Sequence, residues 1–255
     1  MRFDVITLFP ELFAPFLASG VTRRAYETKQ VDVRLWALRD FAEGNYRRVD
    51  DRPFGGGPGM VMLAEPLARC LQAIRAERAD TAPVVLFSPT GDRLDHAGVA
   101  RWSGSEGAIL LCGRCEGIDQ RFIDAHVDVQ LSLGDFVLSG GEVAAMALLD
   151  AVARLQPGVL NDTGSHEADS FNPAIDGLLD CPHYTRPEEW QGRRVPAELL
   201  SGHHAQIERW RRERRLEATA RLRPDLVSAA RAAGRLSKAD EAFLARVAQA
   251  KPAGL

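Results

Sequence analysis

Alternating apolar and polar positions predict that the chain opens with a β-strand over Met1–Phe9 and forms another over Val31–Trp36. The stretch between them, Pro10–Tyr26, is predicted to be helical. Three short apolar runs farther on are typical of strands that are buried on both faces of a parallel sheet. These runs are Pro83–Phe87, Ala108–Cys112 and Val127–Leu133.

Helical spacing of apolar residues accompanies these strands and predicts an α/β fold. Ala64–Ala79 fits an amphipathic helix between two of the strands, and another helix follows Gly141. Nearer the end, Ala205–Arg223 is predicted to be a basic helix. Ser237, with Asp240 three residues later, resembles the capping box that begins a final helix.

Each of the three apolar strands runs into a loop of small residues. These loops are Ser88–Gly91, Gly113–Gly117 and Gly134–Gly141. If the sheet is parallel, its strand ends meet at one edge, where such sheets bind ligands. Neither G-x-G-x-x-G nor a P-loop is present. The loops therefore predict one site for a ligand that has no pyrophosphate.

Charge is distributed unevenly along the 255 residues. The formal net charge is −3, which argues against a protein that binds polyanions over its whole surface. Between Arg193 and Arg223, however, nine Arg face four Glu, a local net charge of +5. This segment is equally well explained as a solvated helix face or as a surface that contacts RNA phosphates. In the second case, Arg209, Arg211 and Arg214 are the candidate contacts and Trp190 and Tyr184 are candidate stacking faces, whereas Trp210 is more typical of a core residue.

Two segments without periodicity have both structural and functional interpretations. Gln156–Asp176 is polar and predicts a mobile linker, in which a carboxylate such as Asp169 more often serves solubility than catalysis. An isolated Phe171 there indicates docking on another surface. The charged Arg47–Arg52, followed by the glycine-rich Phe54–Gly59, fits either a surface crossing or a lid.

The cysteines and the N-terminus narrow the class of protein. Cys112-x-x-Cys115 could be a redox pair or half of a zinc site, but the chain offers no second ligand pair, so no metal site is expected. A serine hydrolase is disfavoured because no G-x-S-x-G elbow is present.

The N-terminus predicts a first strand and no signal peptide, and no stretch is long and apolar enough to span a membrane. The expected compartment is the cytoplasm.

Taken together, eight segments resemble the bacterial tRNA (guanine-N1)-methyltransferases of the TrmD type, members of the knotted SPOUT class. The most specific of them are LCGRCEGID at Leu111–Asp119, LSLGDFVLSGGE at Leu131–Glu142 and GLLDCPHYTRP at Gly177–Pro187. The others are Ile6–Phe13, Asp51–Met62, Leu86–Gly91, Ala168–Phe171 and Leu199–Arg211. They follow one another in order, so the resemblance covers most of the chain.

The resemblance implies a fold and an activity. Residues 1–160 would form a parallel-sheet methyltransferase domain with a deep trefoil knot that binds S-adenosylmethionine. Residues 161–175 would be a flexible linker, and residues 176–255 a small helical domain that binds tRNA. The chain would act as a homodimer with shared active sites. The product would be 1-methylguanosine at tRNA position 37, beside the anticodon, where it guards the reading frame.

Carried over by position, the resemblance also implies site residues. The cofactor-binding positions are Pro89, Gly113, Glu116, Leu133, Gly134, Asp135, Phe136, Val137, Leu138, Gly140 and Gly141. Asp169 matches the proposed general base and Arg154 the proposed electrophilic partner. The family commonly has Tyr at the positions of Cys115 and Phe136, so packing over the adenosine is expected to differ here.

Elementary chemistry agrees with these assignments. The guanine N1 proton is far less acidic than a carboxylic acid, so its removal by Asp169 must be coupled to methyl transfer or to stabilisation of charge on O6. Arg154 suits O6 because guanidinium donors strengthen as the oxygen becomes anionic. Mg²⁺, which the family is reported to favour, would assist similarly, although the sequence has no dedicated ligand cluster. Two alternatives stay open: an inert RNA-binding factor, and a knotted methyltransferase that acts on ribosomal RNA or a ribose hydroxyl.

Overall fold

The chain forms two compact units, Met1–Asn161 and Asp162–Leu255. The computed structural model describes residues 1–161, 164 and 166–250. Residues 162, 163 and 165 of the expected linker and residues 251–255 of the expected C-terminal domain lie outside the described residues.

A five-stranded parallel sheet forms the centre of the first unit. Its strands lie in the order β2-β1-β6-β5-β8, and every neighbouring pair is parallel. This confirms the predicted α/β fold with a parallel sheet. The bounds are β1 (Arg2–Thr7), β2 (Asp32–Ala37), β5 (Val84–Arg93), β6 (Gly107–Leu111) and β8 (Val129–Ser132).

The strands are apolar on both faces because two separate cores cover the sheet. In β6, Ala108 and Leu110 pack into one core, while Ile109 and Leu111 pack into the other. Such continuous apolar runs characterise strands that are buried on both sides. The helices of this unit are α1 (Phe13–Ala18), α2 (Arg23–Glu27), α3 (Ala64–Glu77), α4 (His96–Ser103), α5 (Gln120–His126) and α6 (Glu142–Ala153).

Two predicted boundaries in the first unit are wrong. The single helix expected over Pro10–Tyr26 is a 3₁₀ turn followed by α1 and α2, because Ser19 is extended and Gly20 has a φ of 72°. The strand expected to end at Phe87 continues as β5 to Arg93, with its pairing interrupted by a bulge over residues 88–91. The expected loop Ser88–Gly91 is therefore a bulge within a strand.

A second, smaller sheet was not predicted from the sequence. It consists of β3 (Asp50–Asp51), β4 (Val61–Met62) and β7 (Gly117–Ile118), in the order β3-β4-β7. Strands of two residues are too short to show a hydrophobic period, so no signal in the sequence could have placed them.

The second unit contains helices around its own core. Its helices are α7 (Ala197–Leu200), α8 (His204–Leu222), α9 (Pro224–Ala232) and α10 (Lys238–Gln249), and β9 (Glu189–Trp190) pairs with β10 (Arg193–Arg194) as a hairpin. Leu216, Val227 and Phe243 lie in the core. The predicted capping box is confirmed, since Ser237 and Asp240 exchange side-chain and backbone hydrogen bonds at the start of α10.

The described part of the expected linker consists of turns followed by a 3₁₀ helix at Pro173–Ile175. The Asp169 N–H donates to the His166 carbonyl at 3.3 Å, and the Phe171 N–H donates to the Leu178 carbonyl at 2.9 Å. The Phe171 ring lies 5.9 Å from the Arg223 guanidinium. This cation–π contact agrees with the expectation that Phe171 docks on another surface.

No helix within the described residues is long and apolar enough to cross a membrane.

A buried ion pair fastens one end of β1 in the first unit. The Asp4 carboxylate is fully buried and accepts hydrogen bonds from Arg78 at 2.7 Å, Arg2 at 2.8 Å and the Trp36 indole at 2.8 Å. Arg78 follows α3 directly and also donates to the Arg2 carbonyl. The pair therefore joins β1, β2 and the end of α3.

Replacing Asp4 with Ala should lower the free energy of unfolding by about 3–5 kcal/mol, because the Arg78 guanidinium stays buried without this partner. Asp80→Ala is the matched control. It removes the half-exposed partner of the same Arg78 and should cost less than Asp4→Ala, because the buried guanidinium keeps its fully buried partner Asp4. Urea denaturation followed by circular dichroism measures both changes, and equal losses would contradict the assignment.

Candidate functional site

Three loops at the carboxyl edge of the parallel sheet surround one cleft of about 240 Å³ in the first unit. The lining comes from the β5 bulge, from the segment 113–118 after β6, and from the segment 132–141 after β8. Because β6, β5 and β8 are neighbours in the sheet, their carboxyl ends lie side by side. The expectation that these three loops converge on one crevice is confirmed.

Two glycines allow the loops after β6 and β8 to touch. The Gly141 N–H donates to the Gly113 carbonyl at 2.9 Å, and a Cβ on Gly141 would lie 2.8 Å from the Cys112 Cα. A Cβ on Gly140 would overlap the Arg114 side chain. Only residues without a side chain fit this contact.

Directly beside the contact, a fully buried carboxylate connects three chain segments. Glu142, the first residue of α6, accepts a hydrogen bond from the Thr7 hydroxyl at 2.8 Å and another from Arg114 Nε at 2.9 Å. Arg114 also donates to the Ser139 carbonyl at 3.2 Å, and its guanidinium lies 4.6 Å from the centre of the Phe9 ring. A buried charge requires such pairing.

The small sheet forms one side of the cleft. The Glu116 N–H donates to the Met60 carbonyl at 2.9 Å, and the Cys115 thiol donates to an Asp50 carboxylate oxygen at 3.4 Å. Burial, together with this carboxylate, raises the pKa of the Cys115 thiol. Gly59 has a φ of 78°, and a Cβ there would overlap the Glu116 side chain. The β3–β4 hairpin therefore packs on a predicted cofactor residue.

Nine of the eleven predicted cofactor residues line the cleft. They are Pro89, Gly113, Glu116, Leu133, Phe136, Val137, Leu138, Gly140 and Gly141. Gly134 and Asp135 are not among the lining residues. Asp135 is exposed and pairs with Arg93 at 3.0 Å. Cys115 and Phe136, where the family commonly has Tyr, both line the cleft.

The four cysteines are all free thiols, and Cys112 and Cys115 differ in environment. Burial and the nearby Glu142 raise the pKa of Cys112 well above its ordinary value, which leaves the thiol protonated at neutral pH. Among the described residues, Asp180, Cys181 and His183 of the second unit have possible ligand atoms within 4.8 Å of one another, close enough to hold a metal ion. Sequence reasoning missed this group because it looked for two separate pairs of ligands, whereas these three residues lie within four consecutive positions.

The two predicted catalytic residues lie in different units. Arg154 is half-buried directly after α6, and its N–H donates to the Asp150 carbonyl at 3.1 Å. Asp169 is half-buried in the turns of the second unit, where its carbonyl accepts from the Asn172 N–H at 3.1 Å.

The three predicted tRNA-contacting arginines lie on α8, and each pairs with a glutamate of the same helix. Arg209 pairs with Glu213 at 3.3 Å, Arg211 with Glu208 at 2.6 Å and Arg214 with Glu217 at 2.6 Å. Arg214 also packs 5.7 Å from the centre of the Phe243 ring, whereas Arg209 is 77% and Arg211 is 46% exposed. Trp210 is buried, as predicted.

Comparison with known proteins gives a family match over nearly the whole chain. Residues 1–229 match the family model described as tRNA (Guanine-1)-methyltransferase TrmD. The chain is 78% identical over 251 residues to the tRNA (guanine-N(1)-)-methyltransferase of Paracidovorax citrulli, an alignment that covers 97% of this chain and 98% of that protein. It is 75% identical to the protein of that name in a Polaromonas species, over 96% of each chain. The corresponding Janthinobacterium protein is 56% identical, over 96% of this chain and 98% of its own.

Replacing Gly141 with Ala should weaken the binding of S-adenosylmethionine, the ligand that the resemblance assigns to the cleft, by at least about tenfold. The added methyl group has no space against the Cys112 backbone and must push the two loops apart, and small misplacements carry costs of this order. Gly104→Ala is the matched control, because its Cβ would make ordinary contacts only. Isothermal titration calorimetry measures both, and unchanged binding by Gly141→Ala would contradict the prediction.

Proposed function

This chain belongs to the tRNA (guanine-1)-methyltransferase family, and we propose that it transfers a methyl group from S-adenosylmethionine to N1 of the guanosine at tRNA position 37 in the cytoplasm. The observation that carries the proposal is the cleft of the first unit. Nine residues that the motifs assign to the methyl donor surround it. Family membership gives the class of reaction, and the cleft supports the proposed position of the methyl donor in this chain.

The lining of the cleft suits the methyl donor chemically. Leu86, Ile118, Leu133 and Leu138 give it apolar walls suited to a purine ring, and Glu116 and Ser88 add polar side chains. When bound, S-adenosylmethionine supplies a methyl group on a positively charged sulfur, which is already strongly electrophilic. The protein therefore has to position this donor and activate the guanine.

We propose that the three loops of the cleft belong to the trefoil knot that the resemblance implies. The close approach of Gly141 to Cys112 and the hydrogen bond from Gly141 to Gly113 support this proposal, since strands of a knot must pass one another within contact distance. The first unit would then bind the donor and the second would contact the tRNA, with the segment 161–175 connecting them. We further propose a homodimer in which each active site takes residues from both subunits.

Asp169 is the proposed general base and Arg154 the proposed partner of guanine O6. A free carboxylate cannot remove the N1 proton ahead of the reaction, because each pKa unit of mismatch costs about 1.4 kcal/mol. Proton transfer to Asp169 therefore accompanies attack of N1 on the methyl carbon. During the same step, the Arg154 guanidinium stabilises the negative charge that builds on O6.

Glu116 is the one carboxylate among the described residues that line the cleft, so the lining contains no cluster of carboxylates for Mg²⁺. Among the described residues, the group suited to a metal is Asp180, Cys181 and His183, outside the cleft, and it contains a thiol and an imidazole, which suit Mg²⁺ less well than oxygen ligands do. The proposed mechanism therefore has no step through Mg²⁺.

A direct assay distinguishes this function from its alternatives. Unmodified tRNA is incubated with the protein and S-adenosylmethionine and is then digested to nucleosides. Formation of 1-methylguanosine is expected, and it should disappear when guanosine 37 is replaced. An inert RNA-binding factor would give no methylated nucleoside, and an enzyme for a ribose hydroxyl would give a 2′-O-methyl product.

Replacing Asp169 with Ala should lower kcat by about 10²–10⁴, the usual contribution of a general base. Binding of S-adenosylmethionine should change by less than about threefold, because Asp169 is not among the residues that line the cleft. Glu167→Ala is the matched control, since it removes an exposed carboxylate two residues away. Single-turnover methylation and calorimetry measure the two quantities. A rate within a few-fold of wild type would remove Asp169 from the mechanism.

Replacing Arg209 and Arg211 together with Ala should raise KM for tRNA and reduce its dependence on salt. Both arginine side chains are exposed, so their pairs with glutamates are weak enough to exchange for RNA phosphates. Each lost phosphate contact should lower the slope of log KM against log salt by about 0.7–0.9. Arg231→Ala is the control, because Arg231 forms a comparable exposed pair with Glu241 outside the basic segment. An unchanged slope in the double variant would place the RNA contacts elsewhere.

A further inference from the structure

We infer that Arg114 and Glu142 are positioning residues for the methyl donor: their ion pair fixes the loop 134–141 over the cleft, so that donor affinity depends on this pair. The inference rests on the proposed function. It assigns a role to two residues that lie within the sequence motifs but have no role in the predicted site. Neither was among the predicted site residues, although Arg114 lines the cleft.

Glu142 anchors the C-terminal end of the loop 134–141. Its carboxylate is fully buried at the first residue of α6, where the helix begins directly after the glycine-rich loop. Both carboxylate oxygens accept a hydrogen bond, one from Thr7 at the end of β1 and one from Arg114 after β6. The partial positive charge of the helix N-terminus also favours an anion there. Glu142 thus fastens the end of the loop to two neighbouring strands of the sheet.

Arg114 contacts both Glu142 and the loop itself. Its Nε bonds to Glu142, while its terminal nitrogen donates to the Ser139 carbonyl at 3.2 Å and approaches the Ser139 hydroxyl at 3.4 Å. A planar guanidinium can make these forked contacts, whereas a lysine ammonium cannot reproduce the geometry. Arg114 therefore fastens the loop at Ser139, three residues before the point where Glu142 anchors it. Its stacking on Phe9 restricts the guanidinium further.

The loop that this pair holds is largely exposed to solvent. Phe136 is 55%, Val137 83% and Leu138 38% exposed, yet all three line the cleft. The ion pair between Arg93 and Asp135 is exposed to solvent and contributes little to holding the loop. A loop with so few buried contacts keeps one conformation only if its ends are fixed. Ser132 holds the first end through hydrogen bonds with Gly134, and the pair of Arg114 with the buried Glu142 fixes the second end beside the cleft.

The test measures the binding of S-adenosylhomocysteine, the demethylated form of the donor, by calorimetry with the full-length protein. Arg114→Ala should raise its Kd by about tenfold to a hundredfold, and Arg114→Lys and Glu142→Gln, which preserve size, should raise it in the same direction. Because the two side chains act as one unit, the double variant Arg114→Ala/Glu142→Gln should bind no more weakly than Arg114→Ala alone. At saturating donor, kcat for tRNA should stay within about threefold of wild type, while KM for the donor rises.

Asp4→Ala is the matched control, because it breaks a different buried ion pair of the same unit and touches no residue of the cleft. It should lower stability and leave the Kd unchanged, which separates positioning from general loss of stability. A Kd within twofold of wild type in folded Arg114→Lys and Glu142→Gln would overturn the inference, as would an equal loss of binding in Asp4→Ala. Failure of the wild-type protein to bind S-adenosylhomocysteine would instead overturn the proposed function.

Discussion

The close passage of two loops, Cys112–Arg114 and Ser139–Gly141, is the constraint on which the cleft depends. The backbones approach so closely that no side chain fits at Gly141, and the Arg114 side chain occupies the space that a Cβ on Gly140 would need. This contact places the residues that follow β6 against the start of α6, and so holds the loop between β8 and α6 across the end of β5. The cleft therefore combines this glycine contact with apolar side chains from the neighbouring strand ends, such as Leu86, Ile118 and Leu133.

Strand β1 links this constraint to the stability of the first unit. At one end, Asp4 binds Arg78, and at the other, Thr7 donates to Glu142 beside the cleft. Both carboxylates are fully buried, so both strongly require their partners. The two sites differ in what they join. The pair at Asp4 connects strands to the end of α3, within the framework of the unit. The pair at Glu142 connects strands to a loop that lines the cleft.

The parts of the fold that depend on local pattern could be predicted from the sequence, and those that depend on contacts distant in the chain could not. Continuous apolar runs located β5, β6 and β8, and the glycines after them located the cleft. The break at Ser19–Gly20 went unseen because the flanking residues still fit a helical period. The network around Glu142 was missed for another reason. A glutamate at the start of a helix is usually exposed to solvent, and only its contacts with Thr7 and Arg114, which lie far apart in the chain, show that it is buried.

The charge counted along the sequence overstates the number of arginines on the second unit that are free to take a new partner. Arg212 pairs with Asp240 and Asp176, and Arg215 pairs with Asp180, so these two guanidinium groups stabilise the fold of the unit itself. Arg214 is partly covered by Phe243. Arginines that are themselves exposed can exchange their glutamate partners for phosphates at little cost, whereas arginines that are half-buried together with their partners cannot. Under the proposed function, the affinity of this unit for tRNA would therefore depend on the few exposed arginines, such as Arg209 and Arg211, and not on the net charge of the segment.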